Sequence, residues 1–377
     1  GQSTILSHLD IELTERCNNT CMHCYINLHA SDKGALDKEL STDKWKDILN
    51  QAAELGALSV RFTGGEPLLR KDFSDIYLHA RHLGMKVKLF TNARLITPFL
   101  ADLFQKVPPI TPIEISVYGM NQDSYDRIAC SPGAFTQFRN GIDLLKEFNI
   151  PFSLKTVTLP INKHELDSFE TWNSEIIGSG WAPPYLALLS LRTRRDSPQK
   201  NEVIKSLRFT PEEHVRFLSR RKDDYFHSMA GFCEKFLRPQ GVGLFTCGAG
   251  SSGCVDAYGK YQICMQLRHP DTVYDLNSGT LRKALTNFFP SIRTIKAENQ
   301  DYLKRCANCF LKGLCEQCPG RSWTESGTLD TPVEYLCQIA HAEAMYLGFL
   351  YEGENSWEVT NWQERILNFS HKYNSNA

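Results

Sequence analysis

The densest chemistry in this sequence lies in eight residues, Cys17-Asn18-Asn19-Thr20-Cys21-Met22-His23-Cys24. Three thiolates on one loop can hold three corners of a cubic four-iron cluster, which needs four ligands in all. The fourth iron is then left for something other than protein. A zinc loop is the rival reading. Zinc prefers four tetrahedral ligands, and His23 stands too close in sequence to Cys21 and Cys24 to complete such a set.

Eight further cysteines come late: Cys247, Cys254, Cys264, Cys306, Cys309, Cys315, Cys318 and Cys337. The pairs Cys306/Cys309 and Cys315/Cys318 could form a zinc ribbon, but that leaves the other four unused. Two four-iron clusters would use all eight. With no secretory leader legible at the start, clustered cysteines favour metal over disulfides and a cytoplasmic protein is expected. Cys130 and Cys233 remain, and read as small buried hydrophobes. A different kind of candidate is Gly64-Gly65-Glu66-Pro67. Two glycines let backbone approach a ligand closely, and backbone carbonyls or the Glu66 carboxylate can accept from an ammonium. Glycine and proline also build plain turns.

The elements that must position these groups are legible from periodicity. His8–Thr14 alternates as a strand and delivers the cysteine loop at its end. Residues 41–55 carry cap residues and an apolar stripe (Trp45, Ile48, Leu49, Ala52, Leu55), as in an amphipathic helix closed by Gly56. Strands are expected at 58–63, 86–92, 113–118, 152–157 and 185–191, with helices at about 72–83, 97–105, 134–147 and 163–178. Six strand–helix alternations give an α/β fold with a parallel sheet, short of the eight that close a full barrel. Arg192–Asp196 reads as a solvated basic face, or as a contact for an acidic peptide or cofactor carboxylate. Residues 201–209 read as a connection, and Thr210-Pro211-Glu212-Glu213 as a helix cap. Val255–Cys264 reads as a β-hairpin turning at Tyr258-Gly259-Lys260.

The bulk numbers set bounds. A chain of 377 residues suits two domains. A net charge of −1 gives no broad attraction to nucleic acid or anionic membrane, and neither is expected as a partner. No apolar run reaches the ~18–20 residues of a membrane span.

The cysteine loop, with His23 before its third cysteine and Tyr25 after it, resembles the radical S-adenosylmethionine (SAM) enzymes. The turn at Gly64–Pro67, placed after strand two, is similar to that family's site for the methionine amine. The resemblance implies a partial, open (β/α)6 TIM-like barrel. It implies SAM chelated to the open iron, split by one electron to a 5'-deoxyadenosyl radical that takes hydrogen from substrate. It also suggests SAM contacts at Thr91 and Asn92, at Ser116, at Arg127 for the methionine carboxylate, and at Leu191 (with Leu189 as rival) and His23 near adenine.

The late cysteines resemble the SPASM domain that follows many radical SAM barrels. By that family's interleaved arrangement, Cys247, Cys254, Cys264 and Cys318 hold a first auxiliary [4Fe-4S] cluster. Cys306, Cys309, Cys315 and Cys337 hold a second. The Cys315-to-Cys318 step spans two residues where three is usual, which puts Cys318 in question. The expected domains are a barrel at 1–200, a connecting helical segment at 201–240, a cysteine-rich domain with a hairpin at 241–345, and a helical tail at 346–377. The resemblance points to a maturase acting on a ribosomally made peptide by cross-linking, epimerisation or oxidation, with three [4Fe-4S] clusters and SAM. An external flavodoxin- or ferredoxin-type electron donor is implied. A separate peptide-recognition protein is left open by the start at Gly1. Alternatives are an anaerobic sulfatase-maturating enzyme, a small-molecule dehydrogenase of the same superfamily, and a non-catalytic iron–sulfur carrier. Met265 follows Cys264 where the sulfatase-maturating type places an aspartate base.

Overall fold

The computed structural model describes residues 6–177 and 188–374. Five parallel strands follow the alternation of the sequence: β1 (His8–Thr14), β2 (Ser59–Gly64), β3 (Lys86–Thr91), β4 (Ile113–Val117) and β5 (Phe152–Thr156). Their apolar residues share one buried face, including Leu9, Ile11, Val60, Phe62, Leu89, Ile115 and Leu154. The alternating helices cover it. These are α1 (Thr42–Glu54), α2 (Phe73–His82), α3 (Pro98–Lys106), α4 (Gln122–Ala129), α5 (Ala134–Glu147) and α6 (Leu166–Ile177). Phe62 of β2 meets Phe73 of α2 edge-on at 6.2 Å. Side chains of alternating position face the other way. There Asp10 pairs with Arg61 at 3.1 Å and Glu114 with Lys155 at 2.6 Å, and both cations lie over the Phe90 ring. This is the TIM-like partial barrel expected, with a charged interior.

Three features depart from the sequence reading. The sixth strand was expected at 185–191. Residues 185–187 lie outside the described residues, and 188–191 carry no strand; Leu189 and Leu191 instead fill a buried cluster with Ile128, Leu159 and Ile204. The expected connection at 201–209 is mostly helix, α7 (Pro198–Ser206), capped by the Ser197 hydroxyl. The hairpin strands β6 (Cys254–Val255) and β7 (Lys260–Gln262) join the barrel sheet, with β8 (Val273–Asp275) beyond. β6 pairs parallel with β1, Asp10 opposite Cys254, giving the order β8-β7-β6-β1-β2-β3-β4-β5. Residues 249–290 therefore belong to the first of two compact units, 1–207 with 249–290. The second unit is 208–248 with 291–377. The expected boundaries at 200, 240 and 345 do not coincide with this division, because backbone pairing to β1 draws the hairpin into the barrel.

The second unit is helical: α8 (Pro211–Leu218), α9 (Lys222–Phe236), α10 (Pro319–Ser326), α11 (Glu334–Tyr346) and α12 (Trp362–Asn374). Thr210 and Glu213 close α8 with the expected reciprocal cap. Phe226, Ala230 and Cys233 of α9 form a core with Ala340 and Ala344 of α11 and Ile366 and Phe369 of α12. Cys233 is buried there as a small hydrophobe. Cys130 is exposed instead, because it ends α4 in the left-handed conformation at φ 47°.

The turn after β2 is built on steric clearance. Gly65 N donates to Thr14 O at 2.7 Å and Glu66 N to Arg16 O at 2.9 Å. A Cβ on Gly64 would lie 2.1 Å from Thr14 O, at φ +127°, and one on Gly65 2.3 Å from Arg16 O. The glycines are needed so that the turn can lie against the end of β1, where the cysteine loop begins. Gly64→Ala is expected to lose about 3 kcal/mol or more. Gly84→Ala, at φ +80° with open space around it, is expected to lose only about 1 kcal/mol. Denaturant midpoints of the two variants check this, and equal losses would refute the steric role.

Candidate functional site

The cysteine loop is closed at its base. Arg16–Cys17 pairs parallel with Leu28–His29, so the chain leaves β1 and returns twelve residues later beside itself. Cys17 and Cys21 are buried and Cys24 is half-buried. Donors aim at two of the sulfurs: Asn19 N to Cys17 Sγ at 3.3 Å, Asn27 N to Cys24 Sγ at 3.4 Å, and Asn92 Nδ2 to Cys17 Sγ at 3.8 Å. The loop carbonyls are held as well. Arg94 Nη1 donates to Asn18 O at 2.7 Å, and Lys200 Nζ to Cys21 O at 2.6 Å. Burial pushes the Cys17 thiol well up and the Cys21 thiol up to about 12. Only a thiolate ligates metal, so a group held here would have to supply most of the positive charge that ionises these two thiols. Buried Asn18 Nδ2, Asn19 Nδ2 and His23 Nδ1 have no protein partner. Three thiols at one strand end, amide donors on the sulfurs and unsatisfied polar atoms beside them suit a cluster with a polar ligand.

Glu66 ties the neighbouring turn to β3. Its Oε1 accepts from Leu68 N at 3.1 Å and Thr91 Oγ1 at 2.8 Å, and its Oε2 from Asn92 N at 2.8 Å. A carboxylate has about four lone-pair sites, and three of them are taken. Burial raises the Glu66 carboxyl to about 7. Pro67 opens a short 3-10 turn. Asn92 Nδ2 also donates to Asn18 Oδ1 at 2.8 Å. Cys17, Glu66, Thr91 and Asn92 thus form one hydrogen-bonded set. His23 packs against Tyr118 with ring centroids 5.6 Å apart, and burial lowers it to about 4, leaving a neutral imidazole near pH 7. Tyr25 Oη lies 3.9 Å from Met265 Sδ. Leu191 and its rival Leu189 are buried together, with Met22 packed against their cluster. Ser116 is half-buried on the charged face of β4, and Arg127 is exposed in the last turn of α4, outside that set. Arg94 and Lys200 were not foreseen. Arg94 follows Asn92 by two residues at a strand end, which was a signal; for Lys200 the sequence carries none.

Of the basic run, Arg195 and Asp196 are exposed, but Arg192 and Arg194 are drawn into ion pairs. Arg192 is buried, forked onto Asp196 by two bonds of 2.8 Å, and reaches Asn27 O at 3.1 Å. Arg194 pairs with Glu15 at 2.6 Å and Asp256 at 2.8 Å. Arg268 pairs with Glu12 at 2.5 Å, Asp256 at 3.3 Å and Glu15 at 3.5 Å. Two guanidiniums therefore bridge three carboxylates at the end of β1, one negative charge short of balance unless Glu12 holds a proton. Asp256 also accepts from Tyr258 N, Lys260 N and Gln262 Nε2. Its lone pairs are committed, so it is not a free base.

In the second unit, Cys306, Cys309, Cys315 and Cys337 line one cavity with Arg305, Lys312, His341 and Trp357. Arg305 Nη2 donates to Cys337 Sγ at 3.4 Å, and Ser356 Oγ lies 2.9 Å from Cys309 Sγ. Cys318, at the N-terminus of α10, is not part of that lining. Cys247 is exposed in the second unit, while Cys254 (buried) and Cys264 (exposed) flank the hairpin of the first. Among the described residues, no group of three His, Cys, Asp or Glu side chains is placed to hold a single metal ion, as a closed zinc site requires. No helix of the described residues is long and apolar enough to cross a membrane.

Residues 11–172 match the profile of the Radical SAM superfamily. The chain is 26% identical over 334 residues to an AdoMet-dependent heme synthase of Methanosarcina barkeri, covering 84% of this chain and 92% of that protein. It is 32% identical over 157 residues to a PqqA peptide cyclase of Bradyrhizobium diazoefficiens, covering 41% of this chain and 40% of that one. Among solved structures it resembles anSMEcpe with bound AdoMet and Cp18Cys peptide, at TM-score 0.58 and 14% identity, covering 97% of this chain and 99% of that one. It also resembles Streptococcus suis SuiB bound to precursor peptide SuiA, at TM-score 0.56 and 18% identity, covering 89% and 76%. At these identities the structural likeness speaks for the fold alone.

Burial raises the Glu12 carboxyl to about 7 against the pull of Arg268. A carboxyl raised on folding binds a proton in the native chain that the unfolded chain has shed. Its stabilising contribution is complete below about 4.5 and is lost as pH climbs through about 7. Glu66 behaves in the same sense. The metal-free protein should lose up to about 3 kcal/mol per group across that window, and Glu12→Gln should flatten roughly half the slope. Urea midpoints from pH 5 to 8 test this; an unchanged slope in the variant counts against it.

Proposed function

We propose that this chain, whose residues 11–172 match the Radical SAM profile, is an enzyme that modifies a ribosomally made peptide by hydrogen abstraction, with two auxiliary clusters handling electrons. A radical SAM domain implies one four-iron cluster and SAM. That pair supplies a carbon-centred radical, formed when one electron splits the sulfonium. The chain's own contribution is holding and shielding. Cys17, Cys21 and Cys24 hold the cluster, while Arg94 and Lys200 fix the carbonyls of their loop. The turn at Gly64–Pro67 offers carbonyls and one carboxylate lone pair to the methionine amine. Neutral His23 and Leu191 offer an uncharged surface to adenine, and Ser116 and Arg127 are further SAM contacts. The eight late cysteines serve the auxiliary clusters.

The observation that carries this reading is the joint placement of three thiols, two of them hydrogen-bonded, with Glu66, Thr91 and Asn92 at the ends of β1 to β3. A bare electron carrier has no use for an amino-acid site beside its cluster. The relatedness of the barrel to PqqA peptide cyclases supports a peptide substrate. For the sulfatase-maturating alternative the base position holds Met265, and Asp256, eight residues before Cys264, is paired with two arginines. A second reading is favoured by one finding: the heme synthase relatedness runs through both units.

Anaerobic reconstitution tests the reading. About twelve irons per chain and release of 5'-deoxyadenosine with SAM and reductant are expected. The triple variant Cys17→Ala, Cys21→Ala, Cys24→Ala should keep about eight irons and release none. Surviving cleavage, or zinc in place of iron, would sink the assignment.

A further inference from the structure

The cavity of Cys306, Cys309, Cys315 and Cys337 shares two wall residues, Gln240 and Lys312, with a neighbouring surface groove. Two aromatic side chains of α9 flank that groove. Phe232 and Phe236 stand one turn apart with ring centroids 4.9 Å apart, and they are 36% and 42% exposed. The opposite stripe of α9, through Phe226, Ala230 and Cys233, already fills the core. A helix with one buried face has no folding reason to present a second apolar one, and such patches mark contact surfaces. The groove is also basic. Arg238 and Lys312 line it, no carboxylate does, and Lys235 Nζ lies 5.2 Å from the centre of the Phe236 ring.

We propose that this face is the docking site of a small acidic one-electron carrier protein serving the cluster of the adjacent cysteine cavity. The inference rests on the cluster reading given above. One electron leaves the carrier and enters the cluster, with no bond made or broken. Three features fit that occupant. Electron-transfer encounters are small and transient, with interfaces under about 1,200 Å². An apolar centre beside lysine and arginine complements an acidic carrier and speeds encounter. The chain as a whole carries a net charge of −1, so attraction for an acidic partner has to come from a local patch. Lys312 and Gln240 are the thin wall between docking face and cysteines, and electron tunnelling depends steeply on that separation.

The test uses reconstituted holoenzyme and flavodoxin. For Lys235→Glu with Arg238→Glu, reduction of the clusters by reduced flavodoxin should slow at least about tenfold at low salt, and its salt dependence should flatten. Affinity for oxidised flavodoxin, measured by calorimetry, should weaken in parallel. SAM cleavage driven by dithionite should be unchanged. Unaltered flavodoxin rates and affinity would overturn the proposal, as would an equal loss with dithionite. A wild-type dimer that the variant dissolves would also overturn it by assigning the face to a second copy, and a raised KM for substrate would assign it to substrate. Iron analysis separates the two layers. If Cys306→Ala with Cys337→Ala keeps all its iron, the cluster reading fails and the docking proposal with it. Normal iron with unaltered flavodoxin kinetics removes the docking proposal alone.

Discussion

The barrel end depends on an ion network buried at the end of β1. Glu12 and Glu15 at β1, and Asp256 in the hairpin, are almost wholly removed from water. Each would be strongly unfavourable alone, and each is held by Arg194, Arg268 or both. The network fixes where β1 ends, and the end of β1 is where Cys17 starts. A buried ion set of this kind adds little net stability compared with well-packed apolar residues. Its value is positional. Arg268 accepts one arrangement of its three carboxylates, so the loop, the hairpin and the stretch at Thr193–Arg194 take one register.

On that base the cysteine loop is built as a rigid cup. Its sulfurs receive backbone and amide donors, its carbonyls are held by cations, and its floor is the turn of two glycines pressed against Thr14 and Arg16. Thiols buried this deeply stay protonated without a metal. Any metal group taken up by Cys17 and Cys21 would therefore have to displace their protons. In the second unit burial raises Cys306 and Cys315 to about 12 in the same way.

Much of this was legible in the sequence, and the failures have a common cause. β1 to β5 were readable because each alternates between an apolar outer face and a polar inner one, a signal local to five or six residues. The cysteine spacing and the Thr210 cap are local in the same way. Arg192–Asp196 misled because its partners are remote: Arg194 meets residues 179 and 62 positions away. A charge run and a buried ion network look alike until the chain folds. The turn at Gly64–Pro67 was found for a reason that proved incomplete. Its glycines were read as clearance for a ligand, whereas the clearance they give is to the backbone of β1. Lys200 had no signal, since a lysine at the start of a helix says nothing about which carbonyls it will meet. The sixth alternation failed where Leu189 and Leu191 pack as core without a ladder.

The pairing of β6 with β1 has a consequence for the order of assembly. Strand β1 gains its outer neighbour only when Cys254 and Val255 have been made, and Glu12 gains Arg268 across 256 residues of chain. Until then β1 offers an open sheet edge and an uncompensated carboxyl, the features that slow folding and invite wrong partners. The nascent barrel therefore stays unfinished along β1 until the hairpin arrives, and the loop that follows β1 is not braced on that side before then.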